Sequence, residues 1–417
     1  MILFAHELRL LLRTRMALLA LLLVTLLSVA AVVAGMVEVA RQHDVIARIQ
    51  PKQAQDIAAV AQWVDKEKDA GSAGYYSFHA TWDSPAPMAF ATLGLRDVAP
   101  YILRVRALGL EAQLYDGEAF NPELALPGRF DFSFVLVYLT PLFVIALFHD
   151  LVSGEREAGR LPMLNALAGP GRHIWRRRVL LRGGLLFLAL GVPLTIGAAL
   201  SHVPVATLLA VLGLIALYLA FWIGVSLLVG RWRGSSVANA ASLAGLWLVL
   251  TLILPTIAHV AINRAIPVGQ GVEMSLAQRE AVNRAWDIPR EKTMRAFYAN
   301  HPEWKDSPPL TEAFHYKWYF AFHQVGDESV GPKVAAYRHG IEARDAAAHH
   351  VGWLLPSVMV QSVLARIANT DMQAQLAYQD RIRAFHKRLR HFYYGYLFTD
   401  KPFGRDDFDR APRFSGV

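Results

Sequence analysis

Five long apolar blocks decide what this chain can fold into. The first, Met16 to Val37, holds no charged side chain and twelve Leu or Val. At roughly −0.3 to −0.6 kcal/mol each, those twelve alone favour entry into a bilayer by about 5 kcal/mol. Four more follow: Phe132 to Phe148, Gly183 to Ser201, Val203 to Val229 and Val237 to Ile262. As helices, all five reach across a hydrocarbon layer of about 30 Å, the fourth and fifth with tilt. Pro141, Pro193 and Pro255 fall inside spans, which is tolerated where neighbouring helices satisfy the carbonyls that proline frees. The first block outruns the apolar core of a cleaved signal peptide and reads as a retained anchor. The predicted fold is therefore predominantly α, a polytopic helical membrane protein, and a water-soluble enzyme is excluded.

Charge orients the spans. Arg9, Arg13 and Arg15 precede the first, and Arg156, Arg160, Arg172, Arg176, Arg177, Arg178 and Arg182 lie between the second and third. Arg231 and Arg233 lie between the fourth and fifth. These segments carry twelve basic and four acidic residues, a surplus equal to the +8 of the whole chain. By the positive-inside rule they are cytosolic: an N-terminal amphipathic helix at residues 1–15, a loop at 149–182 and a short loop at 230–236. The basic total is then a topology signal and not a nucleic-acid footprint. The chain has no cysteine, which removes disulfides, thiolate metal sites and cysteine nucleophiles.

Two extracytoplasmic regions remain. Residues 38–131 open with helical spacing of Val45, Ile46, Ile49, Ile57, Val60, Ala61 and Val64, with Pro51 as a break. Turn-rich aromatic sequence follows, then a strand-like run from Tyr101 to Val105, so a small mixed α/β domain is expected. Residues 263–417 read as mainly helical, with helices over Ser275 to Ala299, Leu310 to Gln324, Lys333 to Leu355 and Pro356 to Phe398. Their dense aromatics, among them Trp286, Phe297, Trp304, Trp318 and Phe322, suit either a membrane surface or a helical core. His386 and His391 amid Arg383, Lys387, Arg388 and Arg390 read as a basic, solvated helix face.

The loop after the second span runs from His149 to Gly171 and contains Glu155, Glu157, Gly159 and Leu161 in close order. Leu161, Leu164 and Leu167 share one face of a short helix ended by Pro170 and Gly171. The result is a small amphipathic foot, acidic at one end, that a partner with a groove and basic residues could grip. This order resembles the Glu-x-Glu-x-Gly-Thr-Leu segment of ABC-2 type transporter permeases, with Arg160 standing where the family has Thr. The amphipathic start before the first span is similar to that family too. Large outer loops after spans one and five resemble those of a bacterial permease subfamily with a domain of unknown function.

The resemblance implies a coupling helix that fits a cleft on a separate ATPase subunit, with Glu155, Glu157, Gly159, Leu161 and Leu164 as the coupling residues. It further implies export, a second permease copy or a sister permease, and ATP with magnesium held on the partner. The family usually has six spans, so the carboxyl end is expected either to have lost the sixth through truncation or to stop outside. Residues Gly326 to Lys333 carry the glycines and lysine of a phosphate-binding loop, but Pro332 breaks the pattern. His349, His350 and His339 with Glu342 read as surface or packing groups and not as metal ligands. No nucleophile, base and acid can be placed together. The expected protein is a permease subunit without catalytic, cofactor or metal site of its own, in the bacterial inner membrane with its N-terminus cytosolic. The alternative is a non-transporting membrane-anchored sensor or scaffold.

Overall fold

The computed structural model describes residues 2–115, 130–166, 173–232, 234–269, 271–312 and 314–416. Helix α1 (Ile2–Arg13) stops at Thr14, where the backbone turns extended, and α2 (Arg15–Glu67) begins at once. Along the chain follow α3 (Ala70–Tyr76), β1 (His79–Trp82), β2 (Ile102–Val105) and α4 (Glu111–Tyr115). The second apolar block forms α5 (Phe132–Phe134), a π-helical turn Val135–Leu139 and α6 (Thr140–Phe148), and two short helices, α7 (Ser153–Glu157) and α8 (Leu161–Asn165), come next. Helices α9 (Ile174–Leu200) and α10 (Val205–Gly230) are continuous; the fifth block is α11 (Ser236–Leu248), a second π-helical turn Val249–Ile253 and α12 (Leu254–Ala265). The remainder is α13 (Gly271–Ala285), α14 (Arg290–Asn300), α15 (Tyr316–Gly352), α16 (Pro356–Ile367) and α17 (Met372–Leu397). Among the described residues, five segments are long and apolar enough to cross a membrane: Arg15–Glu67, Phe132–Glu157, Ile174–Leu200, Val205–Gly230 and Ser236–Ala265.

Proline explains where two of the spans loosen. Pro141 and Pro255 each sit at the start of an α-helix directly after a π-helical turn. A proline cannot donate to the carbonyl behind it and pushes that carbonyl aside, and a widened turn absorbs the mismatch. The carbonyls near both prolines are taken by side chains from other helices. Tyr218 Oη donates to Val137 O at 2.8 Å, Trp247 Nε1 to Tyr138 O at 3.1 Å, and Ser357 Oγ to Leu250 O at 3.1 Å. Removing the first of these donors, Tyr218→Phe, is expected to lower stability by about 1 kcal/mol. Thermal unfolding of the purified chain in detergent checks this; an unchanged midpoint would mean that Val137 finds another donor.

Four helix boundaries differ from the sequence expectation. No break occurs at Pro51: α2 runs through it for 53 residues. Pro51 and Ala47, whose carbonyl proline crowds, are both exposed. On either side Ile46, Ile49, Ile57 and Val60 pack on one cluster, so burial keeps the two halves in line. The helix expected over Ser275 to Ala299 divides at Pro289, which forces the residue before it out of helical geometry. Conversely, the two helices expected around Gly326 and Lys333 merge into α15, which passes through Pro332. The last expected helix divides at Asn369, whose φ of 55° ends α16, and Asp371 caps α17 by accepting from Ala374 N.

Two hydrophobic clusters organise the molecule. One lies among the apolar spans and includes Val24, Leu136, Val144, Leu190, Ile215 and Trp222. Helix α16 joins this cluster through Val360 and Leu364, although it belongs to the second large region. The other cluster is extramembrane. It gathers Val64 of α2, Val105 of β2, Phe320 of α15 and Tyr393 of α17, with Phe403, Phe408 and Phe414 from the end of the chain. The two regions read as separate domains therefore share one core. Its small sheet is antiparallel, with His79 opposite Val105 and Trp82 opposite Ile102. Phe297, Trp318 and Phe322 are buried there, which makes these aromatics core and not a membrane belt.

Candidate coupling site

The short helices α7 and α8 stand at the arginine-rich end of the bundle. Gly159 separates them and takes φ +70°, the left-handed geometry that glycine adopts without penalty. Gly159 N donates to Arg156 O at 2.9 Å and Arg160 N to Glu155 O at 2.9 Å. This pair of bonds is the Schellman ending, which satisfies the last carbonyls of α7 and turns the chain sharply into α8. The glycine of the motif is thus a structural requirement of the elbow between the two helices.

Both carboxylates of α7 are held by their own chain. Glu155 Oε1 accepts from Arg178 Nη1 at 2.8 Å and Oε2 from Arg160 Nε at 2.7 Å. Arg178, on α9, also donates through Nε to Glu7 of α1 at 3.1 Å and lies over the Trp175 ring. Glu157 Oε1 accepts from Ser236 N at 2.7 Å and Oε2 from Ser236 Oγ at 2.9 Å. It thereby supplies an anion to the first turn of α11, where unpaired N–H groups favour one. Between them Arg156 Nη1 donates to Trp232 O and Gly234 O at 3.3 and 3.2 Å. Ser153 Oγ lies 2.9 Å from Ser236 Oγ, and Asn239 Nδ2 reaches His149 O at 3.4 Å. One short helix is thus bonded to α9 and to the start of the fifth span, and through Arg178 of α9 it is linked to α1.

Helix α8 faces the other way. Leu161 and Leu164 are half-buried, whereas Pro162, Met163 and Asn165 are exposed, Met163 at 63%. Leu167, Pro170, Gly171 and Arg172 of the same loop lie outside the described residues, as does Arg233. The structure brings Glu155, Glu157 and Gly159 together with Leu161 and Leu164 in one elbow. Its exposed surface comprises Glu157 to Arg160 together with Pro162, Met163 and Asn165 of α8; Glu155 is a half-buried fastening, and Glu157 is both a fastening and exposed.

Of the residues read as a basic, solvated helix face, Lys387, Arg388 and His391 are exposed as expected, whereas Arg383, His386 and Arg390 turn inward. Arg390 of α17 is buried and pairs with Asp327 of α15 at 2.7 Å; the side chains are 8% and 10% exposed. Arg383 pairs with Glu111 at 3.0 Å. His386 is buried, and its Nε2 donates to Arg106 O at 2.8 Å. Buried charges require such partners, and the partners come from α4 and α15, so the sequence of α17 alone gave no sign of them. Burial holds His386 well below the usual histidine range, with the Arg390 charge adding to it. His79 is drawn down to about 4 by burial. The family described as Domain of unknown function (DUF3526) matches residues 272–415, from α13 to near the end of the chain. No curated protein and no solved structure matches the chain.

Proposed function

We propose that this chain is the membrane-spanning permease subunit of an ATP-driven exporter of the ABC-2 type, worked by a separate ATPase subunit. The observation that carries the reading is the elbow: an exposed α8 tip on an α7 that is fastened to α9 and α11 and, through Arg178, to α1. A load applied to Met163 is delivered to three helices at once. An ATPase that contacts the tip differently in its open and closed states would bias the arrangement of the spans, and only such a difference can couple the two. In this reading the elbow is cytosolic, the extramembrane body lies outside, and the membrane is the bacterial inner membrane. ATP and magnesium belong to the partner, and this chain holds no cofactor of its own. Just 6% of the apolar window of the fifth span is buried, against 61% for the second. That bare face supports pairing with a second permease copy or a sister permease.

The test is co-expression with a candidate ATPase and measurement of co-purification and of permease-stimulated ATP turnover. Met163→Asp is expected to abolish both while leaving thermal stability unchanged, because the side chain contacts mostly solvent. Undiminished docking and turnover in Met163→Asp and in Asn165→Asp would overturn the reading and favour an anchored sensor or scaffold.

A further inference from the structure

A cleft of about 310 Å³ opens in the extramembrane body between α13, α15 and the segment joining β2 to α4. Its polar wall consists of Arg106, Gln278, Arg279, Asn283, Tyr319 and His323. Its volume lies at the small end of ligand sites. Among the described residues that line it there are two guanidiniums and no carboxylate, and Arg279 is engaged elsewhere.

Its buried donors have nothing to bond. Gln278 is 2% exposed, and its Nε2 has no hydrogen-bond partner. The amide is pressed against the backbone of Gly109, where a Cβ would fall 2.1 Å from Nε2, so a larger residue at 109 would displace it. His323 Nδ1 accepts from Gly109 N at 3.4 Å, which leaves the ring proton on Nε2, and that atom too is buried without a partner. Burial, reinforced by the Arg390 and Arg106 charges, draws His323 down to about 3, so near neutral pH the ring is a neutral single donor. The amide that might have answered these groups is already used: Gln113 Oε1 accepts from Arg106 N at 2.9 Å and its Nε2 donates to Gly109 O. Arg106 lies over the rings of Tyr75 and Phe78. Asp327 is paired with Arg390 and accepts from Leu110 N.

A buried donor without an acceptor costs about 1–3 kcal/mol. Two of them facing one cleft beside the Arg106 guanidinium describe a site built for an acceptor-rich, negatively charged group. We propose that this cleft binds a small soluble anion bearing a carboxylate or phosphate group, held by Gln278 Nε2, His323 Nε2 and the Arg106 guanidinium. The site is independent of the coupling elbow and stands whether or not the chain is a permease.

The test is calorimetric titration of the full chain, in discs of neutral lipid, with sodium phosphate and with sodium citrate against a sodium chloride blank. At least one of the two anions is expected to bind saturably at one site per chain. Gln278→Leu and Arg106→Gln should each weaken that binding about tenfold or more. Arg104→Gln, an exposed position paired with Asp56, should leave it unchanged. Gln278→Leu also removes an unanswered buried amide, so its thermal stability should be equal to or above that of the parent, which separates lost binding from lost folding. Absence of saturation by both anions up to about 10 mM, or binding that survives both substitutions, would overturn the proposal.

Discussion

Lowering the pH from 6.5 to 5 is expected to remove on the order of 5 kcal/mol of stability from the extramembrane body. Three histidines are responsible. His79 and His386 are buried and His323 is half-buried, and loss of solvent holds all three below the ordinary histidine value, His79 to about 4 and His323 to about 3. In the unfolded chain each takes up a proton near pH 6.5; in the folded chain each stays neutral. The unfolded state then binds more protons, so stability falls as pH falls, by about 1.4 kcal/mol per unit for each histidine. The window opens near 6.5 and continues to about 4, where folded His79 begins to protonate. His301 works the other way. Its hydrogen bond to Glu328 raises it, so its contribution is complete below 6.5, fades only as pH rises through the folded value, and leaves the acid slope untouched. A loss of this size is comparable to the whole stability of many domains. Denaturant midpoints followed by tryptophan fluorescence at several pH values read it directly. His386→Gln, which keeps a donor for Arg106 O, should reduce the slope by about a third; a flat profile between pH 6.5 and 5 would contradict the burial of these rings.

The second large effect is expected at the fastenings of the elbow. Glu155→Ala with Glu157→Ala releases α7 from Arg178 and from Ser236 without altering the exposed tip of α8. A co-expressed ATPase should therefore still co-purify, while permease-stimulated ATP turnover falls about tenfold or more, within the range of coupling between linked sites. This separates fastening from contact, because Met163→Asp is expected to lose docking as well. Retained turnover in the double variant would mean that the load travels by another route.

What the sequence made legible was whatever depends on local runs. The apolar blocks announce their helices because each is long and nearly free of charge, and the spacing of Leu161 and Leu164 announces the short helix α8; the separate helix α7 and the elbow at Gly159 were not read from the sequence. What stayed hidden depends on partners far along the chain. Tyr218 answers a carbonyl 81 residues away, Trp247 one 109 away and Ser357 one 107 away, so the π-helical turns had no local sign beyond their prolines. Arg390 and His386 looked solvated because charge on a helix usually is; Asp327, 63 residues earlier, reverses that. The fastenings of Glu155 and Glu157 lie 23 and 79 residues on. Pro51 misled for the opposite reason, since a strong local breaker was outweighed by packing on both sides.

The side of the membrane on which the elbow stands is the most direct measure of the proposed coupling. The chain has no cysteine, so Met163→Cys introduces a single thiol at an exposed position. A membrane-impermeant maleimide is expected to leave this thiol unmodified in intact cells and to label it in inverted membrane vesicles, with added ATPase subunit protecting it. Labelling in intact cells would put the elbow out of reach of any cytosolic ATPase and contradict the mechanism.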